Sequence, residues 1–129
     1  ALPLVCYEAI FPQFGRKLSA QARVMLHLTN DAWFGDFAGP AQHLAIARLR
    51  AIERGVPVIR VANTGVSAMI DATGEITGQI ALNVEGFADL PLPPRLSPTF
   101  YVKFGEWPFV LLWLTGALGT YLLGRRAKD

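Results

Sequence analysis

Short apolar runs separated by mixed stretches fill residues 1–89, and one long uncharged run fills 107–124. The first run, Leu2 to Val5, has the composition of a buried strand and ends at Cys6. From Gln13 to Arg23, Phe14, Leu18 and Ala22 recur at every fourth position with Arg16, Lys17, Gln21 and Arg23 between them, which predicts a short amphipathic helix. Val24 to Thr29 reads as a second buried strand, closed by Asn30-Asp31 and a loop of aromatic residues and glycine from Ala32 to Gly39. Pro40 opens a helical pattern that runs to Arg54, with Gly55 placed as its C-terminal cap. Leu44, Ala47, Ala51 and Ile52 are expected on its buried face, while Arg48, Arg50 and Arg54 place cations where the helix dipole favours them. Val56 to Ala62 predicts a third strand, with Pro57 at its start. After the turn Asn63-Thr64-Gly65, Val66 to Ile70 and Ile76 to Leu82 predict a hairpin around Asp71 to Glu75.

Strand, helix, strand, helix, then a strand and a hairpin describe a layered α/β domain over residues 1–89. The pattern holds only part of such a sheet and the chain opens inside a strand, so an N-terminal portion is expected upstream. Prolines at 91, 93, 94 and 98 make residues 90–106 an extended linker. Residues 107–124 carry no charge, and as a helix they reach roughly 27 Å, close to the hydrocarbon thickness of a bilayer. Trp107 and Trp113 lie toward one end and Tyr121 toward the other, followed by Arg125-Arg126-Ala127-Lys128. A transmembrane helix at 107–124 is therefore expected, with residues 125–129 as a cytoplasmic tail and the α/β domain on the outer side.

Composition sharpens this picture. A hydrophobic share of 52 % suits a chain that is partly membrane-facing or unusually buried. The net charge of +2, carried by Arg spread along the chain, gives no basic stripe and argues against nucleic acid as a partner. One cysteine cannot form an internal disulfide, and the absence of a basic residue before Cys6 argues against a lipoprotein signal. His27 and His43 stand sixteen residues apart with no cysteine beside them, so no metal is expected. Arg48, Arg50 and Glu53 read as ion pairs on a helix face.

Cys6 draws the chemistry. A strand that ends in a nucleophile and runs through a turn into a helix presents a reactive side chain at the top of a sheet, where the helix N-terminus favours thiolate. Read without context, a lone cysteine is more often a small buried hydrophobe. In the first reading, the backbone N–H of Tyr7 is a candidate oxyanion donor.

Cys6-Tyr7-Glu8, Asn30-Asp31-Ala32-Trp33-Phe34-Gly35, Gly39-Pro40-Ala41-Gln42-His43, Ala47 to Glu53, Asn63-Thr64-Gly65 and Gly105-Glu106-Trp107-Pro108 occur in the order seen in a known family. Over nearly its whole length the chain resembles the apolipoprotein N-acyltransferases, membrane members of the nitrilase or carbon–nitrogen hydrolase superfamily. The resemblance implies the C-terminal half of an αββα sandwich followed by one transmembrane helix, in the bacterial inner membrane with the catalytic domain periplasmic. It implies transfer of an acyl chain from a phospholipid to the N-terminal amine of a diacylglyceryl-cysteine lipoprotein precursor, with no cofactor and a monomer as the simplest state. Cys6 would be the nucleophile that carries the acyl chain as a thioester. Glu8 matches a supporting carboxylate of the family. Trp33, Phe34 and Asn63 are the candidate substrate-binding residues, the first two at the acyl mouth and the third holding a strand-end turn beside the site. The family's general-base Glu and its catalytic Lys precede the nucleophile and match nothing in this chain, Lys17 and Lys103 included, so this stretch alone is expected to be inactive. Two other readings stay open: a membrane-tethered amidase or nitrilase-type hydrolase, and a non-catalytic binding or scaffold domain.

Overall fold

In the computed structural model, which describes residues 1–126, one five-stranded sheet carries the α/β region. Its strands are β1 (Leu2–Val5), β2 (Met25–Asn30), β3 (Val58–Asn63), β4 (Ser67–Ile70) and β5 (Ile76–Ile80), side by side in chain order. The first three are parallel and the last two add antiparallel. Helix α2 (Gly39–Arg54) makes the crossover from β2 to β3, as a parallel pair requires. The predicted hairpin is present, its turn held by the Asp71 carboxylate, which accepts from the amides of Thr73 and Glu75.

Strand alternation sorts the side chains into two faces. Leu2, Leu4, Met25, Val58, Ala68 and Ile70 point to the covered face and are buried with Ala9, Ala22, Ala47, Ala51 and Val56. Alanines at 47 and 51 let α2 lie close on the sheet. On the other face Val5, Leu28 and Val61 stay about half exposed. Register sets rows across the covered face. Leu2, Met25, Val58 and Ile70 make an apolar row, and Leu4, His27, Arg60 and Ala68 make the next. Two polar residues thus stand side by side at the centre of a buried sheet face.

Several boundaries differ from the sequence pattern. The helix expected over Gln13–Arg23 is only α1, Arg16–Ser19. Gly15 adopts a left-handed φ of 65° just before it, and Phe14 and Leu18 are exposed where a buried stripe was expected. On α2, Ile52 turns outward and is replaced in the interior by Arg54, whose guanidinium donates to the Phe14 carbonyl at 2.6 Å and to the Met25 sulfur at 3.2 Å. Arg50 pairs with Glu53 at 3.0 Å as expected, but Arg48 donates to the Gly74 carbonyl at 2.8 Å instead. Val56 and Pro57 precede β3 rather than opening it.

The proline-rich stretch is extended but not free. Leu96 donates its amide to the Gly55 carbonyl at 2.8 Å, and Arg95 reaches the carbonyls of Ala20 and Ala22. It then forms α3 (Phe100–Phe104), N-capped by Thr99, whose hydroxyl also donates to the Glu53 carbonyl. Arg16 caps the other end of α3 through the carbonyls of Tyr101 and Val102. Gly105, at φ 61°, breaks the chain before α4 (Trp107–Arg126). Trp107–Arg125 is long and apolar enough to cross a membrane, and none of it is buried against the rest of the chain. The expected tail at 125–129 lies outside the described residues from 127 onward.

Candidate functional site

β1 runs out at Val5, and the chain turns into one 3₁₀ turn, Cys6–Ile10, rather than the α-helix that the sequence suggested. Cys6 opens this turn with φ 47°, a left-handed conformation that L side chains adopt rarely and at a cost of roughly 1–2 kcal/mol. The turn is clamped from below, where Glu8 Oε2 accepts the Val5 N–H at 2.6 Å. That contact gives Glu8 a defined role: it fixes the strand-to-turn junction on which Cys6 sits. Tyr7 is the second residue of the turn, where a helix supplies no acceptor for the backbone N–H.

β2 ends in a second 3₁₀ turn, Asp31–Phe34, capped by the Asn30 side chain, which accepts from the Ala32 amide at 3.1 Å. This cap divides the loop. Asp31 is rolled into the interior, and Trp33 stands 87 % exposed. Cys6, Tyr7, Thr29, Asn30, Trp33, Phe34 and His43 then line one hollow of about 220 Å³. Of the residues singled out from the sequence, Cys6, Tyr7, Trp33 and Phe34 are brought together here. Asn63 lies at the exposed end of β3, where its amide donates to Asn30 Oδ1 at 3.4 Å, so it ties two strand ends behind the hollow without lining it.

Beneath the hollow lies a buried polar cluster that the sequence pattern did not bring together. Arg60 donates to Asp31 Oδ2 at 2.5 Å and to His27 Nδ1 at 2.9 Å, and its Nε donates to the Val66 carbonyl at 3.2 Å. Asp31 Oδ1 accepts from His43 Nδ1 at 2.9 Å and from the Thr29 hydroxyl at 3.2 Å. His27, with Nδ1 taken by the guanidinium, donates through Nε2 to the Cys6 carbonyl at 3.1 Å. These partners fix the neutral imidazole with its proton on Nε2. Burial, and then the Arg60 charge, push the His27 pKa down from 6.5 to about 4. Burial also lowers the Arg60 pKa, against the pull of Asp31. The His43 ring stacks on Tyr7 and meets Phe34 edge-on at 5.3 Å, and its Nε2 is buried without a partner among the described residues.

The sequence carries a signal for this cluster. His27 follows Met25, and Arg60 follows Val58, at the inward positions of two apolar strands, and a buried arginine requires an anion. Among the described residues no group of three His, Cys, Asp or Glu side chains is placed to hold a metal ion. A second hollow, of about 230 Å³ on the open face of β3 to β5, is lined largely by apolar residues such as Ile59, Met69, Ile80 and Phe87, and the hydroxyl it holds, Ser67 Oγ, is tied to the Ala62 backbone.

The chain resembles known proteins in sequence and in fold. The family model for carbon–nitrogen hydrolase matches residues 3–93. The chain is 52 % identical over 111 residues to an apolipoprotein N-acyltransferase of Rhodopseudomonas palustris, covering 86 % of this chain and 21 % of that protein. It is 44 % identical over 125 residues to the protein of that name from Rickettsia bellii, covering 96 % of this chain and 25 % of the relative. The chain thus spans about a fifth to a quarter of the length of these curated relatives. Among solved structures, a carbon–nitrogen hydrolase from Helicobacter pylori superposes with a TM-score of 0.56 at 18 % identity, over 64 % of this chain and 36 % of that one. An amidase from Nesterenkonia, solved with an acetamide moiety covalently added at its active-site cysteine, gives a TM-score of 0.56 at 21 % identity, over 86 % of this chain and 43 % of that one. At these identities the two structures speak for the fold alone.

Proposed function

The chain belongs to the carbon–nitrogen hydrolase family, and from that premise we propose that it is the nucleophile-bearing C-terminal part of an apolipoprotein N-acyltransferase. The observation that carries this reading is the placement of Cys6. With a left-handed backbone it opens the turn at the end of β1 and lines a hollow walled by Tyr7, Trp33 and Phe34, in a chain 44–52 % identical to the two relatives of that name.

The Cys6 thiolate attacks the ester carbonyl of a phospholipid; the ester C–O bond breaks, and the lysophospholipid leaves with a proton. The acyl chain is held as a thioester. The α-amine of a diacylglyceryl-cysteine precursor then attacks that carbonyl, an amide forms, the C–S bond breaks, and the amine proton returns to the thiol. The Tyr7 N–H, beside Cys6 in the turn, donates to the oxyanion of each tetrahedral intermediate. Trp33 and Phe34 form the mouth through which the acyl chain enters, and Glu8 and Asn63 hold the turns around it. A general-base glutamate and a lysine come from sequence outside residues 1–129, and this stretch alone does not turn over. The uncovered apolar face of the sheet is where the rest of the sandwich packs. Residues 1–89 form the catalytic portion, 90–106 connect it to the membrane, 107–124 span the inner membrane, and 125–129 are cytoplasmic, which puts Cys6 on the periplasmic side.

The test is intact-mass and peptide mass spectrometry of the full-length enzyme incubated with phosphatidylethanolamine vesicles and no acceptor. An acyl adduct on Cys6 that is released by a diacylglyceryl-cysteine peptide is the expected result. Acylation and lipoprotein maturation that persist in Cys6→Ala would overturn the proposal.

A further inference from the structure

We infer that His27 is a positioning residue for the Cys6 nucleophile, holding its left-handed backbone through the Cys6 carbonyl. This rests on the reading of Cys6 as the acylated residue and adds a group that no motif of the resemblance contains.

A cysteine at φ 47° persists only where its surroundings over-determine it. Two contacts do so here. Glu8 ties the strand side of the junction through the Val5 amide, and His27 Nε2 ties the Cys6 carbonyl at 3.1 Å. The second tie is the more rigid of the two. His27 is fully buried on β2, and its other ring nitrogen accepts from Arg60, which is in turn fixed by Asp31 and the Val66 carbonyl. The imidazole is therefore held at both ends in one tautomer, with its N–H aimed at the peptide unit that joins Cys6 to Tyr7. That same peptide unit carries the Tyr7 N–H assigned to the oxyanion, so the contact sets nucleophile and oxyanion donor together. Asp31 also opens the loop bearing Trp33 and Phe34, and the chain Asp31, Arg60, His27, Cys6 couples the wall of the hollow to its nucleophile.

Single-turnover acylation of the full-length enzyme, read by mass spectrometry against phosphatidylethanolamine concentration, tests this. His27→Gln keeps an amide N–H for the Cys6 carbonyl and an oxygen for Arg60, and should acylate within a few-fold of wild type. His27→Leu should lower the limiting rate by roughly 10- to 100-fold with little change in the half-saturating lipid concentration. If His27→Leu does not fold, His27→Asn, too short to reach the carbonyl, takes its place with the same expectation. Were His27 merely an acceptor that satisfies Arg60, folded His27→Leu would acylate at the wild-type rate, and that result, or failure of His27→Gln to restore the rate, overturns the inference. Absence of any Cys6 adduct in the wild type would instead strike down the acyl-enzyme reading on which it stands.

Discussion

Arg60 and Asp31 meet at 2.5 Å with both side chains wholly withdrawn from solvent. The pair lies between neighbouring elements rather than within one: Arg60 is on β3 and Asp31 is at the turn that ends β2. Removing one partner strands the other charge in the interior. Arg60→Met is therefore expected to destabilise the fold by about 3–5 kcal/mol. Asp31→Asn should also be costly, but the double variant should lose less than the sum of the two, with a coupling of about 1 kcal/mol or more. Urea unfolding of the four proteins checks this, and strict additivity would show that the two side chains do not depend on each other.

The His27 imidazole gives the fold a pH dependence with a definite sign. Its pKa is 6.5 in the unfolded chain and about 4 in the folded one, so between these values the unfolded state binds a proton that the folded state refuses. Stability is fully present above pH 6.5 and falls as the pH drops toward 4, by up to ~3 kcal/mol at ~1.4 kcal/mol per pH unit. Glu53, whose carboxyl is pushed up by burial against the pull of Arg50 and Arg54, works in the opposite direction. The informative measurement is hence a difference: unfolding free energy at pH 7.5 and at pH 4.5, in the wild type and in His27→Gln. The acid-dependent loss should be smaller in the variant, and equal losses would place the titration elsewhere.

Much of this fold is written in local patterns. The Pro40-to-Gly55 helix has its start and stop residues in place, the hairpin has an Asx turn, and residues 107–124 of the final helix carry no charge, so each was readable without the rest. Where local signals failed, the cause was tertiary. Phe14 and Leu18 have helical spacing, but Gly15 breaks the helix and Arg54 claims the carbonyls of Pro12 and Phe14. At the site, Cys6, Tyr7, Trp33 and Phe34 could be named from motifs because each lies in a turn or loop. His27, Asp31, His43 and Arg60 come from four elements, and only the register that sets His27 beside Arg60 makes them one cluster.

Two glycines in the two loops behind the site separate crowding from backbone strain. A Cβ on Gly65 would fall against the carboxylate of Asp31, inside van der Waals contact. Asp31 is held by Arg60 and His43 and has nowhere to retreat, so Gly65→Ala should cost about 2–4 kcal/mol and disturb the cluster. Gly35 has open space around it but a φ of 65°, so Gly35→Ala should cost on the order of 1–2 kcal/mol from strain alone. The contrast is checked by thermal melting together with the acid dependence described for His27, which Gly65→Ala should alter and Gly35→Ala should leave unchanged.

Trp33 and Phe37 offer a final comparison, because both are large, almost fully exposed aromatics on the loop that joins β2 to α2. Only Trp33 lines the hollow with Cys6. Neither side chain is buried, so truncating either should change stability by no more than about 0.5 kcal/mol. If the hollow admits the acyl chain, Trp33→Ala removes part of its apolar wall, and the half-saturating phospholipid concentration for Cys6 acylation should rise about 5- to 30-fold, the loss of 1–2 kcal/mol of apolar contact. Phe37→Ala should leave it near the wild-type value. Equal effects of the two substitutions would indicate that the loop acts as a general membrane-facing surface, and no effect of either would remove Trp33 from the acyl path.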